Sequence, residues 1–119
     1  MPYLLMILEP PAQRAERGEA AGRAAYQAML DYTEQLKDQG VLMASSALAH
    51  EAEGARLQRR QGRRSVLDGP FAETKEMVGG FFLVDVPTRD DALALAERCP
   101  AAEWATVEVR ATGPCYLST

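Results

Sequence analysis

The sequence contains one histidine, two cysteines and no long apolar run, and these shortages exclude several functions. His50 stands alone, with no carboxylate at ligand spacing, so it does not build a metal site by itself. Cys99 and Cys115 also lack metal-ligand spacing; two free thiols in a cytoplasmic protein are the expectation. There is no P-loop, dinucleotide fingerprint or nucleophile elbow, so neither a cofactor nor a metal is expected. No apolar run approaches the ~20 residues needed to cross a bilayer. Tyr3–Leu8 is short, is stopped by Glu9, and lacks the flanks of a signal peptide, so no membrane partner is expected. With 13 Lys+Arg against 17 Asp+Glu the formal charge is −4, which argues against general nucleic-acid binding.

The remaining sequence is that of a folded chain. Hydrophobic content of 47% over 119 residues predicts a single domain spanning 1–119 with a modest core. The stretch Leu67–Val86 is central to it. Met77–Val86 is apolar at odd and even positions alike, which predicts a strand covered on both faces. Tyr3–Leu8 reads the same way. Between them, Ala25, Met29, Tyr32 and Leu36 recur at helical spacing and predict a helix over Glu19–Gln39, closed by Gly40. Residues 12–18 read as a loop or a weak helical turn. Val41–Leu48 reads as a strand. Arg56–Arg60 and Arg64–Leu67 read as a solvated hairpin around Gln61–Gly62–Arg63. A second helix starts at Pro87–Thr88, with Thr88 as N-cap and Asp91 as its acidic partner, and ends at Cys99–Pro100. Thr106–Arg110 is a last strand, followed by a tail whose Tyr116 and Leu117 are expected to pack on a neighbour.

With the hairpin set aside, the order is β-α-β-β-α-β. This predicts a ferredoxin-like α+β fold with an inserted β-hairpin and both helices on one sheet face. The opposite apolar face then needs another cover. A second subunit is the simplest, so a homodimer enclosing a dimeric α+β barrel is expected.

Asp68-Gly69-Pro70-Phe71 continues into Ala72-Glu73-Thr74-Lys75-Glu76 and Gly79-Gly80. Together with Tyr3-Leu-Leu-Met-Ile, Gly40-Val41-Leu42, Cys99-Pro100 and Val107-Glu108-Val109-Arg110, this run resembles the YCII-related proteins, in the branch named for its DGPF motif. The resemblance implies a ferredoxin-like subunit in a dimeric α+β barrel. It also implies kinship with small enzymes of aromatic catabolism, including a dehydrochlorinase, and for this branch an association with extracytoplasmic-function sigma factors. The broader family is thought to pair a histidine from the first long helix with a loop aspartate. The helix Glu19–Gln39 has no histidine, whereas Asp68 is present.

The candidate catalytic residues are Asp68, Glu73, Lys75, Glu76 and His50. Asp68 precedes Gly-Pro, where aspartate commonly accepts backbone N–H bonds in a turn; the functional alternative is a carboxylate base or anchor. Glu73, Lys75 and Glu76 are either a solvated, self-neutralising turn or a poised acid/base group beside the core strand. His50 is the one side chain suited to acid/base work at neutral pH, although its place in a surface turn favours solvent. Phe71 reads as a core plug. Gly79 and Gly80 imply a bulge or a close approach within a strand, or a helix packed on bare backbone. Arg56, Arg59, Arg60, Arg63 and Arg64 form one basic cluster, either a phosphate or protein contact or a solvated edge that resists unwanted pairing. Two functions are consistent with this. One is a domain binding a small polar, aromatic or anionic ligand, with the loop carboxylates as acid/base groups. The other is a non-catalytic regulatory or protein-interaction module whose protein partner meets the arginine hairpin.

Overall fold

The computed structural model describes residues 2–116. Leu117, expected to pack on a neighbour, lies outside the described residues, and Tyr116 is exposed. Strand β1 (Pro2–Glu9) leads through a short helix, α1 (Gln13–Arg17), into the long helix α2 (Glu19–Asp38). Strand β2 (Leu42–Ala47) follows, then a 3-10 turn at Glu51–Glu53 and the hairpin β3 (Ala55–Arg60) and β4 (Arg63–Asp68). Strand β5 (Met77–Asp85), helix α3 (Arg89–Arg98), a 3-10 turn at Pro100–Glu103 and strand β6 (Thr106–Ala111) complete the chain.

Four strands form one antiparallel sheet in the order β2-β5-β1-β6. The two central positions fall to β1 and β5, the strands that are apolar on both sides. Register places Leu5 opposite Phe82 and Tyr3 opposite Val84, and this face meets the helices. Leu5, Phe82 and Val84 are buried there with Tyr32 and Leu36 of α2 and Ala92, Leu95 and Ala96 of α3. The Tyr32 ring stands edge-on to Phe82 at 5.2 Å, and its hydroxyl donates to the Leu95 carbonyl at 2.7 Å, joining the two helices through a buried hydrogen bond. Helix α3 begins as expected: Thr88 Oγ1 accepts from the Asp91 amide (3.1 Å) and donates to the Asp91 carboxylate (2.8 Å).

The α+β class holds, but the barrel does not. The sheet is open and does not close into a barrel, with β2 and β6 as separate edges. The hairpin β3–β4 forms its own two-stranded sheet and does not extend the first. On the face away from the helices, Leu4 lies opposite Leu83 and Met6 opposite Phe81, with Arg110 and Glu108 of β6 alongside. These apolar side chains already half-bury one another, so their two-sided pattern does not require closure. The expected dimeric α+β barrel is therefore corrected to an open, two-layer α+β sheet, and the face-to-face homodimer built on the barrel goes with it.

Hairpin β3–β4 turns through Gln61 and Gly62, both at positive φ (52° and 75°), the requirement of a two-residue hairpin turn. All twelve of its strand residues are exposed. At its base Gly69 passes so close to Glu51 that a Cβ would lie 2.0 Å from the Glu51 carbonyl oxygen. That close approach is what makes glycine necessary in the Asp68–Phe71 turn.

Candidate functional site

Helix α2 is only partly seated. Its C-terminal half buries Tyr32 and Leu36. Its N-terminal half stands off the sheet, leaving Tyr26 and Leu30 exposed and Ala25 and Met29 half-buried. Beneath it opens a cleft of about 960 Å³, bounded by α1, α2, the end of β2 and the glycine pair of β5. Its wall is mostly apolar, with Ile7, Tyr26, Met29, Leu30 and Trp104 among the lining residues.

A buried ion pair lies in that wall. On β1, alternation carries Leu5, Ile7 and then Glu9 toward the helix side, and Glu9 is only 5% exposed. Arg14 of α1 reaches back to it. Its Nη2 and Nε donate to the same Glu9 oxygen, Oε1, at 2.7 and 3.1 Å, and Nη2 also reaches the Gly79 carbonyl at 3.4 Å. The strand pairing slips between Ile7 and Leu8, which makes Gly79 the extra residue of a bulge. A Cβ on Gly79 would fall 2.0 Å from Glu9 Oε1 and 3.0 Å from Arg14 Nη2. The bulge glycine thus provides the space that the pair occupies. Its neighbour Gly80 answers to another contact, the Ser46 carbonyl oxygen of β2, 3.0 Å from where a Cβ would sit.

Helix α1 is held in place at the cleft's lip. Gln13 Nε2 donates to the Trp104 carbonyl (2.6 Å), Arg17 Nη2 donates to Gln13 Oε1 (3.0 Å), and the Arg17 guanidinium lies 5.4 Å from the Trp104 ring centre. Two arginines and an aromatic ring therefore face a mostly apolar hollow from one side.

None of the five sequence candidates lines this cleft. Asp68, Glu73, Lys75 and Glu76 are all exposed, and no side-chain hydrogen bond or ion pair engages them among the described residues. Glu76 and His50 border a second, shallower groove of about 400 Å³, while Asp68, Glu73 and Lys75 border neither. His50 has both ring nitrogens occupied by backbone. Nδ1 accepts from the Ala52 amide at 3.0 Å, which leaves the proton on Nε2, and Nε2 donates to the Pro11 carbonyl at 2.7 Å. The imidazole is thereby a tie between the β2–β3 connection and the start of α1. Phe71 is half-buried under the Arg56 guanidinium, 3.8 Å from its ring centre. The two cysteines are unpaired; burial pushes the Cys99 thiol up, and Cys115 is exposed. Among the described residues no His, Cys, Asp and Glu cluster could hold a metal, and no helix is long and apolar enough to cross a membrane.

Glu9 and Arg14 are not among the residues that the sequence points to. Glu9 ends the apolar run of the first strand, yet in the structure it continues the inward series Leu5, Ile7, Glu9. A carboxylate on the buried side of a strand, with an arginine five residues later and a glycine pair elsewhere, was the available signal.

Comparison with known proteins agrees with the fold. A 57-residue stretch is 42% identical to an uncharacterized protein of Rhizobium meliloti (strain 1021). That match covers 48% of this chain, and the chain spans about half the length of this curated relative (46%). Among solved structures, the chain is similar to the 5-chloro-2-hydroxyhydroquinone dehydrochlorinase of Burkholderia phenoliruptrix AC1100, solved in complex with 2,5-dihydroxybenzoquinone. The TM-score is 0.56 at 18% identity, covering 95% of this chain and 94% of that one. At that identity the likeness is one of fold. The YCII-related domain pattern matches residues 1–114, and the chain belongs to the YCII-related family.

Proposed function

We propose that this protein binds a small aryl anion in the cleft under α2. The carrying observation is the Glu9–Arg14 pair: a guanidinium held in place by a buried carboxylate and a backbone carbonyl, in the wall of a largely apolar hollow. A pocket that is mostly apolar, with a few fixed polar groups, suits a small ring ligand, and arginine suits a carboxylate or enolate oxygen. That a protein of the same fold was solved with a dihydroxybenzoquinone supports a ring-sized occupant.

Trp104 is the sole tryptophan and lines the cleft, so its fluorescence reports occupancy. Titration with phenylacetate is expected to give a saturable change at millimolar concentration. Arg14→Met is expected to weaken that binding by at least about tenfold through loss of a charge-assisted contact. No response of Trp104, or an unchanged affinity in Arg14→Met, overturns the reading. A protein-interaction module is the second reading, favoured by the fully exposed arginine hairpin; it predicts a Trp104 that is silent to aryl acids.

A further inference from the structure

The geometry of Arg14 on Glu9 carries one more step. Arginine–carboxylate pairs are often two-pronged, one N–H to each oxygen. Here both Arg14 donors go to Oε1, and Oε2 takes no hydrogen bond from the protein among the described residues. Yet no sealed side-chain oxygen among those residues lacks a partner, so Oε2 is not enclosed. Glu9 lines the cleft and is only 5% exposed. Arg14 likewise has its second terminal nitrogen, Nη1, outside every protein hydrogen bond described, on a side chain one-third exposed.

We infer that Glu9 Oε2 and Arg14 Nη1 form a paired acceptor and donor in the cleft, which selects aryl acids bearing a hydroxyl next to the carboxylate. The anion of such a ligand takes the guanidinium, and its hydroxyl donates to Oε2. The ring rests against the apolar wall near Met29 and Trp104. A carboxylate rejects a second anion in the place of that hydroxyl, so the site distinguishes a hydroxy acid from a diacid as well as from a plain acid. This inference rests on the cleft being an aryl-anion site, and it assigns Glu9 a specificity role beyond fixing Arg14.

Calorimetric titration of mandelate and phenylacetate, which differ by that hydroxyl, tests it. One enantiomer of mandelate is expected to bind about tenfold tighter than phenylacetate, because a hydrogen bond to a charged acceptor is among the stronger ones. In Glu9→Gln a neutral amide, which can only donate to the hydroxyl oxygen, replaces the charged acceptor, and the preference is expected to fall to within about threefold. Equal binding of the two acids to the native protein overturns the inference while leaving the aryl-anion site standing. A preference that survives Glu9→Gln also overturns it, since the hydroxyl then has another partner. Failure of both acids to bind removes the site itself. The native comparison decides the matter alone if Glu9→Gln does not fold.

Discussion

Glu9, Arg14 and Gly79 are three residues with one explanation. A buried carboxylate needs a partner; Arg14 supplies it, and the missing side chain of Gly79 makes the room. Gly79→Ala forces a Cβ toward Glu9 Oε1 and Arg14 Nη2, and the bulge is flanked by paired strands that resist a shift. The expected cost is on the order of 2 kcal/mol, the usual scale for overpacking. In a Glu9→Ala background the carboxylate is gone, so the same substitution should cost markedly less. Urea unfolding of the four proteins measures this coupling; equal costs in both backgrounds would show that Gly79 serves the strand and not the pair. The glycine pair was legible as a bulge or close approach, because strands rarely tolerate two glycines. Its true neighbour was not, because Glu9 and Gly79 are joined only by a register shift that no local pattern encodes.

At the scale of elements, the strands and helices follow the sequence closely because each signal is local. Helix α2 spans Glu19–Asp38 against an expected Glu19–Gln39, with Gly40 at positive φ just beyond it. The strand of mixed pattern, β2, is an edge. What the period could not show is that half of the apolar stripe of α2 stays unburied. The same Ala25 and Met29 would read identically on a packed helix, and only tertiary spacing turns them into a cleft wall. The short helix α1 was also obscure: five residues carry too little periodicity, and its fixation comes from Gln13 and Arg17 reaching distant Trp104. Helix α2 is pinned to α3 by Tyr32, whose burial pushes its hydroxyl above the ordinary value of 10.0. A raised pKa means that the folded state favours the neutral phenol. That contribution is fully present below pH ~10 and is lost as pH rises through the folded pKa. Tyr32→Phe removes the hydrogen bond to Leu95 and should lower stability by about 1 kcal/mol near neutral pH. Above pH ~10 the gap should narrow, because only the native protein has this hydroxyl to ionise, while Cys99 and Arg98 beside it are common to both. Denaturation at pH 7 and pH 10.5 distinguishes this from a packing role, for which the gap is independent of pH.

At the scale of the whole molecule, order and charge divide along the same line. The four-stranded sheet holds the core, with β1 and β5 paired on both edges and buried under the helices. The hairpin β3–β4 holds five arginines against the single acid Asp68, and none of its strand residues is buried. At its base the Gly69 amide donates to the Gly54 carbonyl (2.8 Å), closing the hairpin ladder, and Arg56 lies over Phe71. A two-stranded hairpin without a packed face is marginal in water, and local opening sets amide exchange where global unfolding is not needed. Amides of β3 and β4 should therefore exchange orders of magnitude faster than those of β1 and β5, with protection rising from the Gln61–Gly62 tip toward Gly69. Hydrogen exchange read by mass spectrometry resolves the two segments. Protection of the hairpin equal to that of the central strands would mean that something covers it in solution. The exposed arginines, paired across the strands as Arg59 with Arg64 and Arg60 with Arg63, would then be a seated surface. Rapid exchange leaves the hairpin free, while Glu9 and Arg14 stay fixed by the same sheet that resists exchange.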